Sequence, residues 1–218
     1  MNIAKKIIKK INRYKKTRRS KLIFYKFDKS KQEDNKSAVG EFIDIGDFES
    51  LKRYSVEHNG AMDFFLNSEC ANRFEKGSFL CVASTNDEWV AYGWIALNND
   101  FWIAEIDRLI DLRNSKVGIL YDFYTKENYR GLGIYSAVIS HLNELCPCEL
   151  TLIYCYENNI SSRNGIKKAG GIYEAEFKHN SKDIIPYFQL YNINLLGSNL
   201  KMFGLKYAKN ESILNLKK

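Results

Sequence analysis

The residues best suited to chemistry lie in one run, Tyr121-Asp122-Phe123-Tyr124-Thr125-Lys126-Glu127-Asn128-Tyr129-Arg130-Gly131-Leu132-Gly133-Ile134-Tyr135. A stretch of strand character passes through a short polar loop and a glycine-containing turn into helical spacing. Such a junction aims several backbone N–H groups that lack helical acceptors, and the positive end of a helix dipole, at one point. That point binds an anion, most often phosphate. Gly131 and Gly133 let the backbone approach a ligand with no Cβ in the way. Arg130 adds a permanent charge and a forked donor that matches phosphate oxygens. The run is neither GxxxxGK[ST] nor GxGxxG, so the loops those patterns mark are excluded. Taken alone, a glycine turn that only starts a helix is an equal reading.

A second polar run, Glu157–Gly171, also follows an apolar strand-like stretch and carries Asn159, Ser162, Lys168 and Gly170. An Asx turn that caps the next helix accounts for Asn159 as well as ligand contact does, and both roles can coexist. Lys168 reads equally as a solvated helix residue.

The elements that must hold these runs follow from periodicity. Leu22–Phe27 reads as a first strand and Lys29–Ser37 as a polar loop. Asp47 is placed to cap a helix covering Phe48, Leu51, Tyr54 and Val56. A second helical stretch spans Met62–Glu75 and ends near Gly77. Phe79–Ser84 and Trp89–Leu97 read as strands around the turn Thr85-Asn86-Asp87-Glu88. Phe101–Leu109 is expected as an additional strand and Val117–Thr125 as a further one. Then the chain alternates: helix Gly133–Leu145, strand Leu150–Tyr156, helix Ser161–Ala169 closed by Gly170-Gly171, and strands Ile172–Phe177 and Tyr187–Ile193. A mixed sheet with helices on its faces is the outcome.

Asn159 with Ser162, then Lys168 and Gly170, resembles the N-x-x-S … K-x-G signature of the GNAT acyltransferase superfamily, and Arg130-Gly131-Leu132-Gly133 resembles that family's acyl-coenzyme A motif. The two runs stand in the family's order, with one helix and one strand between. The resemblance is firm over Val117–Gly171 and extends over Leu22–Ile193. It implies an α/β (α+β) fold with a mixed, mostly antiparallel central sheet, splayed at the middle between Val117–Thr125 and Leu150–Tyr156, and helices on both faces. It also implies acetyl-CoA or another acyl-CoA as co-substrate, its pantetheine hydrogen-bonded along Phe123, Tyr124 and Thr125. The pyrophosphate would rest on the amides of Gly131, Leu132, Gly133, Ile134 and Tyr135 beside Arg130, with Asn159 by the pantetheine and Ser162 and Lys168 near the polar end. Two departures stand out. Tyr135 replaces a small residue, and Ile166 occupies the position where many members carry a tyrosine that protonates the leaving thiolate.

For the chemistry, Asp122 is the one carboxylate on the cleft strand, readable as the base that takes the amine proton or as a structural group. Tyr156 is the candidate for protonating the thiolate, with Tyr121 and Tyr124 behind it, and an N–H near Tyr124 is the candidate oxyanion donor. Ile119–Thr125, followed by Arg-Gly-Leu-Gly-Ile-Tyr, resembles a branch associated with bacterial surface-polysaccharide assembly. That resemblance implies a nucleotide-linked amino sugar as acceptor. The alternatives are a protein amine or small amine as acceptor, or a non-catalytic acyl-CoA-binding module.

Composition bounds these readings. The chain has 218 residues, of which 45% are hydrophobic and 27% charged, the mix of a globular protein able to bury a core. No run approaches the roughly 18–20 apolar residues that span a bilayer, and a soluble cytoplasmic protein is expected. The net charge is +7, yet residues 1–20 alone hold nine basic side chains and no acidic one. The high pI therefore belongs to an arm and not to the body, which weakens any nucleic-acid reading. In that arm Ile3, Ile7, Ile8, Ile11 and Tyr14 fall on one helical stripe. The stripe fits a weak contact with an anionic membrane surface at the inner face, or equally packing on the protein's own domain or on a second subunit of a homodimer. Residues 1–20, 21–196 and 197–218 are expected as arm, acyltransferase domain and basic tail. The five cysteines are an odd set, Cys146-Pro-Cys148 lacks CxxC spacing, and the three histidines are scattered. No metal site is expected on that spacing.

Overall fold

A computed structural model describes residues 21–27, 40–86, 88–97, 100–103, 108–111, 117–179 and 188–191. The arm 1–20, the tail 197–218 and the expected loop Lys29–Ser37 lie outside these residues. No helix among the described residues is long and apolar enough to cross a membrane.

Ten strands and four helices follow in the order β1 (Lys21–Phe27), β2 (Glu41–Ile45), α1 (Phe48–Glu57), α2 (Ser68–Glu75), β3 (Ser78–Thr85), β4 (Glu88–Ala96), β5 (Asp100–Ile103), β6 (Arg108–Asp111), β7 (Val117–Thr125), α3 (Ile134–Leu145), β8 (Leu150–Tyr156), α4 (Ile160–Lys168), β9 (Ile172–His179) and β10 (Phe188–Tyr191). Eight strands form one sheet in the order β10-β9-β1-β8-β7-β4-β3-β2. Every pair is antiparallel except β7 with β8, which α3 connects as a crossover. This is the mixed, mostly antiparallel sheet with helices on both faces that the sequence implies.

Each face closes a core. On one side α3 sets Ile134, Val138, Ile139 and Leu142 against Ile23, Ile95, Leu120 and Ile153. On the other, α1 and α2 bury Leu51, Tyr54 and Cys70 against Leu80, Val82 and a fully buried Trp94. A two-stranded sheet, β5 with β6, covers the rest of that second face, where Phe101 meets Tyr121 and Tyr154.

Three expectations need correction. The single strand expected at Phe101–Leu109 is instead the hairpin β5–β6. The helix expected over Met62–Glu75 is broken into a 3-10 turn, Asp63–Phe65, and α2, because Asn67 adopts extended backbone and its side chain caps the second piece. Val56, expected on the buried stripe of α1, is 78% exposed.

Candidate active site

The site begins where β7 loses its partner. β7 pairs with β8 only from Val117 opposite Leu150 to Leu120 opposite Ile153. The burial of β7 changes at the same place, from four consecutive buried residues to alternation over Tyr121–Thr125. Asp122 takes a left-handed conformation, φ 50°. The register against β4 slips there, Tyr92 facing Tyr124 but Trp94 facing Tyr121. This is a β-bulge, which bends the strand and ends regular pairing. The gap is a cavity of about 180 Å³ lined on the β7 side by Leu120–Phe123, on the β8 side by Ile153–Tyr156, and at one end by Tyr135, Asn159 and Ser162.

The turn that follows β7 leads into α3, whose Tyr135 lines the cavity. Gly131 and Gly133 both have φ 82°, the left-handed region that glycine enters without strain. Gly133 begins α3 with no side-chain cap, so the first amides of that helix have no acceptor inside it. A Cβ on Gly133 would stand 3.3 Å from Lys168 Nζ, so an ammonium lies against the positive end of the helix. A cation beside a helix start is complementary to an anion bound there. Arg130 is tethered at the turn, its Nε donating to the Thr125 carbonyl at 3.1 Å, and its guanidinium lies 5.9 Å from the Tyr124 ring centre. The Thr125 hydroxyl oxygen is buried with no hydrogen-bond partner. Leu132 is exposed and Ile134 is buried in the core.

Asn159 caps α4, its side-chain oxygen accepting from the Ser162 N–H at 3.1 Å. The ring of Tyr135 lies over Gly165, where any Cβ would stand 2.4 Å from it, and edge-on to Phe123 at 5.5 Å. Burial pushes the Tyr135 phenol up to about 12, against the opposing effect of its hydrogen bond with Ser162. Tyr135 thus turns away from the first amides of α3 and closes the cavity wall. Ile166 is fully buried.

Across the sheet, Asp122 is paired through Oδ2 with Arg73 Nη1 at 2.5 Å. Arg73 also binds Glu69 and lies 5.1 and 5.4 Å from the ring centres of Trp94 and Tyr121. The Tyr121 hydroxyl donates to Ser78 at 3.1 Å, and burial raises its pKa to about 12. Tyr156 and Asp122 line the cavity and Tyr124 does not. Tyr124 instead stacks on Tyr92 at 5.8 Å in a group with Trp89 and Phe64. Tyr124 is 39% and Phe64 52% exposed.

The fold therefore gathers Asp122, Phe123, Tyr135, Tyr156, Asn159 and Ser162 around one opening, whereas Thr125 with Arg130 and Gly133 with Lys168 meet at the turn before α3 and do not line that opening. Arg73 and the Phe64–Trp89–Tyr92 group escape a reading of motifs, because they reach the site only through packing of distant segments. Gly165 carried a usable signal, since glycine inside a helix is costly unless something approaches closely.

The arrangement suits an elongated ligand with an anionic head at the start of α3 and a tail lying between two strands. No curated protein matches the chain. Among solved structures, a GNAT-family acetyltransferase from Colwellia psychrerythraea is 16% identical with a TM-score of 0.48, covering 71% of this chain and 53% of its own. An acetyltransferase of the same family from Novosphingobium aromaticivorans is 11% identical, with a TM-score of 0.43 and coverage of 72% and 61%. A structure with acetyl-CoA from Clostridium acetobutylicum is 16% identical, with a TM-score of 0.38 and coverage of 66% and 94%. The chain spans less than two thirds of the first two. A family model, acetyltransferase (GNAT), matches residues 45–170. With more than half of its length matched, the chain belongs to the acetyltransferase (GNAT) family.

Proposed function

We infer that the protein transfers an acyl group from acetyl-CoA or a related acyl-CoA to an amine by direct attack on the thioester. The observation that carries this reading is the separation of β7 from β8 beyond Leu120 and Ile153, opening toward a helix start with no side-chain cap. Pantetheine is an extended amide chain. At Phe123–Thr125 β7 stays paired with β4 on one edge but no longer with β8 on the other, and that second edge offers backbone groups in the same direction. The pyrophosphate then rests on the amides of Gly131–Tyr135, neutralised by Lys168 and Arg130, and the buried Thr125 hydroxyl gains a partner.

A thioester is reactive enough that holding a neutral amine at attack distance supplies much of the rate. The nitrogen attacks the carbonyl carbon, the C–S bond breaks, the amine's surplus proton leaves and the thiolate must be protonated. Arg73 takes Oδ2 of Asp122, which leaves Oδ1 to accept the amine proton directly or through water. Tyr121 and Tyr156 both line the cavity and Tyr124 does not; the Tyr121 hydroxyl is given to Ser78, so thiolate protonation is assigned to Tyr156. The N–H of the β7 edge near Tyr124 stabilises the oxyanion.

For the acceptor, we propose a nucleotide-linked amino sugar. The exposed rings of Phe64 and Tyr124, beside Asp122, give a base or sugar ring a stacking surface. Release of free thiol from acetyl-CoA, measured with a panel of amino-sugar nucleotides, polyamines and peptides, tests the reading. Turnover with a nucleotide-linked amino sugar is expected. Turnover with peptides alone would replace the acceptor, and binding of coenzyme A without turnover on any amine would make the protein a binding module. Asp122→Asn is expected to lower the rate by about 10²–10⁴-fold with coenzyme A affinity unchanged. An unaltered rate would remove Asp122 as the base.

A further inference from the structure

The spacing of the cysteines and histidines along the chain offers no metal motif, yet the fold brings three separated residues together. The geometry points to Asp44, Cys81 and His141 as a site for one zinc-class divalent cation that ties α3 to the β2–β3 edge of the sheet. Asp44 on β2 and Cys81 on β3 are register partners, so their side chains leave the same face of the sheet. His141 descends onto that face from α3, with Nε2 at 3.0 Å from both carboxylate oxygens of Asp44. One ligand atom from each of the three residues lies within 4.8 Å of the others. The Phe42 ring stacks on the imidazole, centroids 4.3 Å apart and planes 14° from parallel, which fixes the ring's orientation.

The donor set defines the ion. A thiolate, an imidazole and a carboxylate suit zinc and its surrogate cobalt, and do not suit magnesium or calcium, which require oxygen shells. Zinc bond lengths put tetrahedral ligand atoms about 3.3–3.6 Å apart. With all three ligand atoms within 4.8 Å of one another, the widest pair closes by at most about 1.5 Å, a movement within reach of rotation of the exposed Asp44 side chain and the Cys81 thiol. Cys81 is fully buried and the Asp44 side chain is 38% exposed, so the sulfur faces the core while the carboxylate side of the site, with the fourth position, faces water. As the sulfur–metal bond forms, the Cys81 thiol proton passes to solvent. Without an ion, burial and then the Asp44 carboxylate push the Cys81 thiol up. The site braces the helix whose first turn faces the cavity.

The test uses full-length, tag-free, reduced protein stripped with chelator and titrated with Co²⁺. One equivalent is expected to bind, with a thiolate-to-cobalt charge-transfer band and visible bands of four-coordinate intensity, all displaced by Zn²⁺. His141→Gln and Asp44→Asn should each weaken binding at least about tenfold with far-ultraviolet circular dichroism unchanged. Cys81→Ser should abolish the charge-transfer band. If Cys81→Ser does not fold, His141→Gln decides. Absence of a thiolate band in excess cobalt, or a band of undiminished affinity in His141→Gln, would overturn the site and leave an ion pair pinning α3 to β2. None of these readings depends on coenzyme A binding.

Discussion

Among the described residues, three of the four α-helices begin in one way and the fourth in another. Asp47, Asn67 and Asn159 adopt non-helical backbone and offer a side-chain oxygen to an amide three residues on, at 2.8, 3.0 and 3.1 Å. The helix α3 begins at Gly133, in the left-handed region, with no such oxygen and with Lys168 drawn up to it. Glycine in place of a capping side chain is a small loss for stability, commonly about a few tenths of a kcal/mol. The difference is that α1, α2 and α4 spend first-turn amides on side-chain caps, whereas the first amides of α3 have no capping side chain, which is what the proposed diphosphate seat requires. Stability and ligand affinity should therefore separate when the two kinds of start are exchanged.

Giving α3 a cap should do the most damage to function. Gly133→Asp places a carboxylate among the amides and against the diphosphate, and coenzyme A affinity by calorimetry should fall about 100-fold. Undiminished affinity would end the contrast. Lys168→Gln should cost about tenfold in the same titration, with the difference from wild type shrinking as salt is raised. An acyl-pantetheine without phosphates should bind both forms equally.

Removing a cap elsewhere should have the opposite signature. Asn67→Ala should lower unfolding free energy by about 1 kcal/mol and leave coenzyme A affinity unaltered. Asp47 gives the smallest effect and a sharper form of it. Hydrogen bonds from the Ser50 amide and hydroxyl hold its carboxyl below the ordinary aspartate range. Its stabilisation is thus present above the unfolded pKa of about 3.9 and is lost as pH falls through the lowered folded value. The difference in thermal midpoint between wild type and Asp47→Ala should be constant near neutrality and vanish in strong acid. A difference that persisted in acid would show that the cap acts without its charge.

Much of this arrangement is legible in the sequence, and the gaps have causes. The ends of β7 and β8 fall where apolar runs meet polar loops, and Asp47 announces α1. The break before α2 depends on Asn67 preferring its own cap over continuation of helical periodicity, a local competition that periodicity cannot weigh. The turn at Gly131–Gly133 and the cap at Asn159 are local features and were readable. The pairing of Asp122 with Arg73 spans 49 residues, and the seating of Tyr135 on Gly165 needs two helices to meet. Neither leaves a local trace that names its partner.

A structure of the protein crystallised with coenzyme A tests the central claim most directly. The account predicts pantetheine lying between β7 and β8 beyond Leu120 and Ile153, and the diphosphate on the amides of Gly131–Tyr135 within reach of Lys168. Coenzyme A bound elsewhere, or a first turn of α3 left to water while the ligand occupies another face, would contradict it.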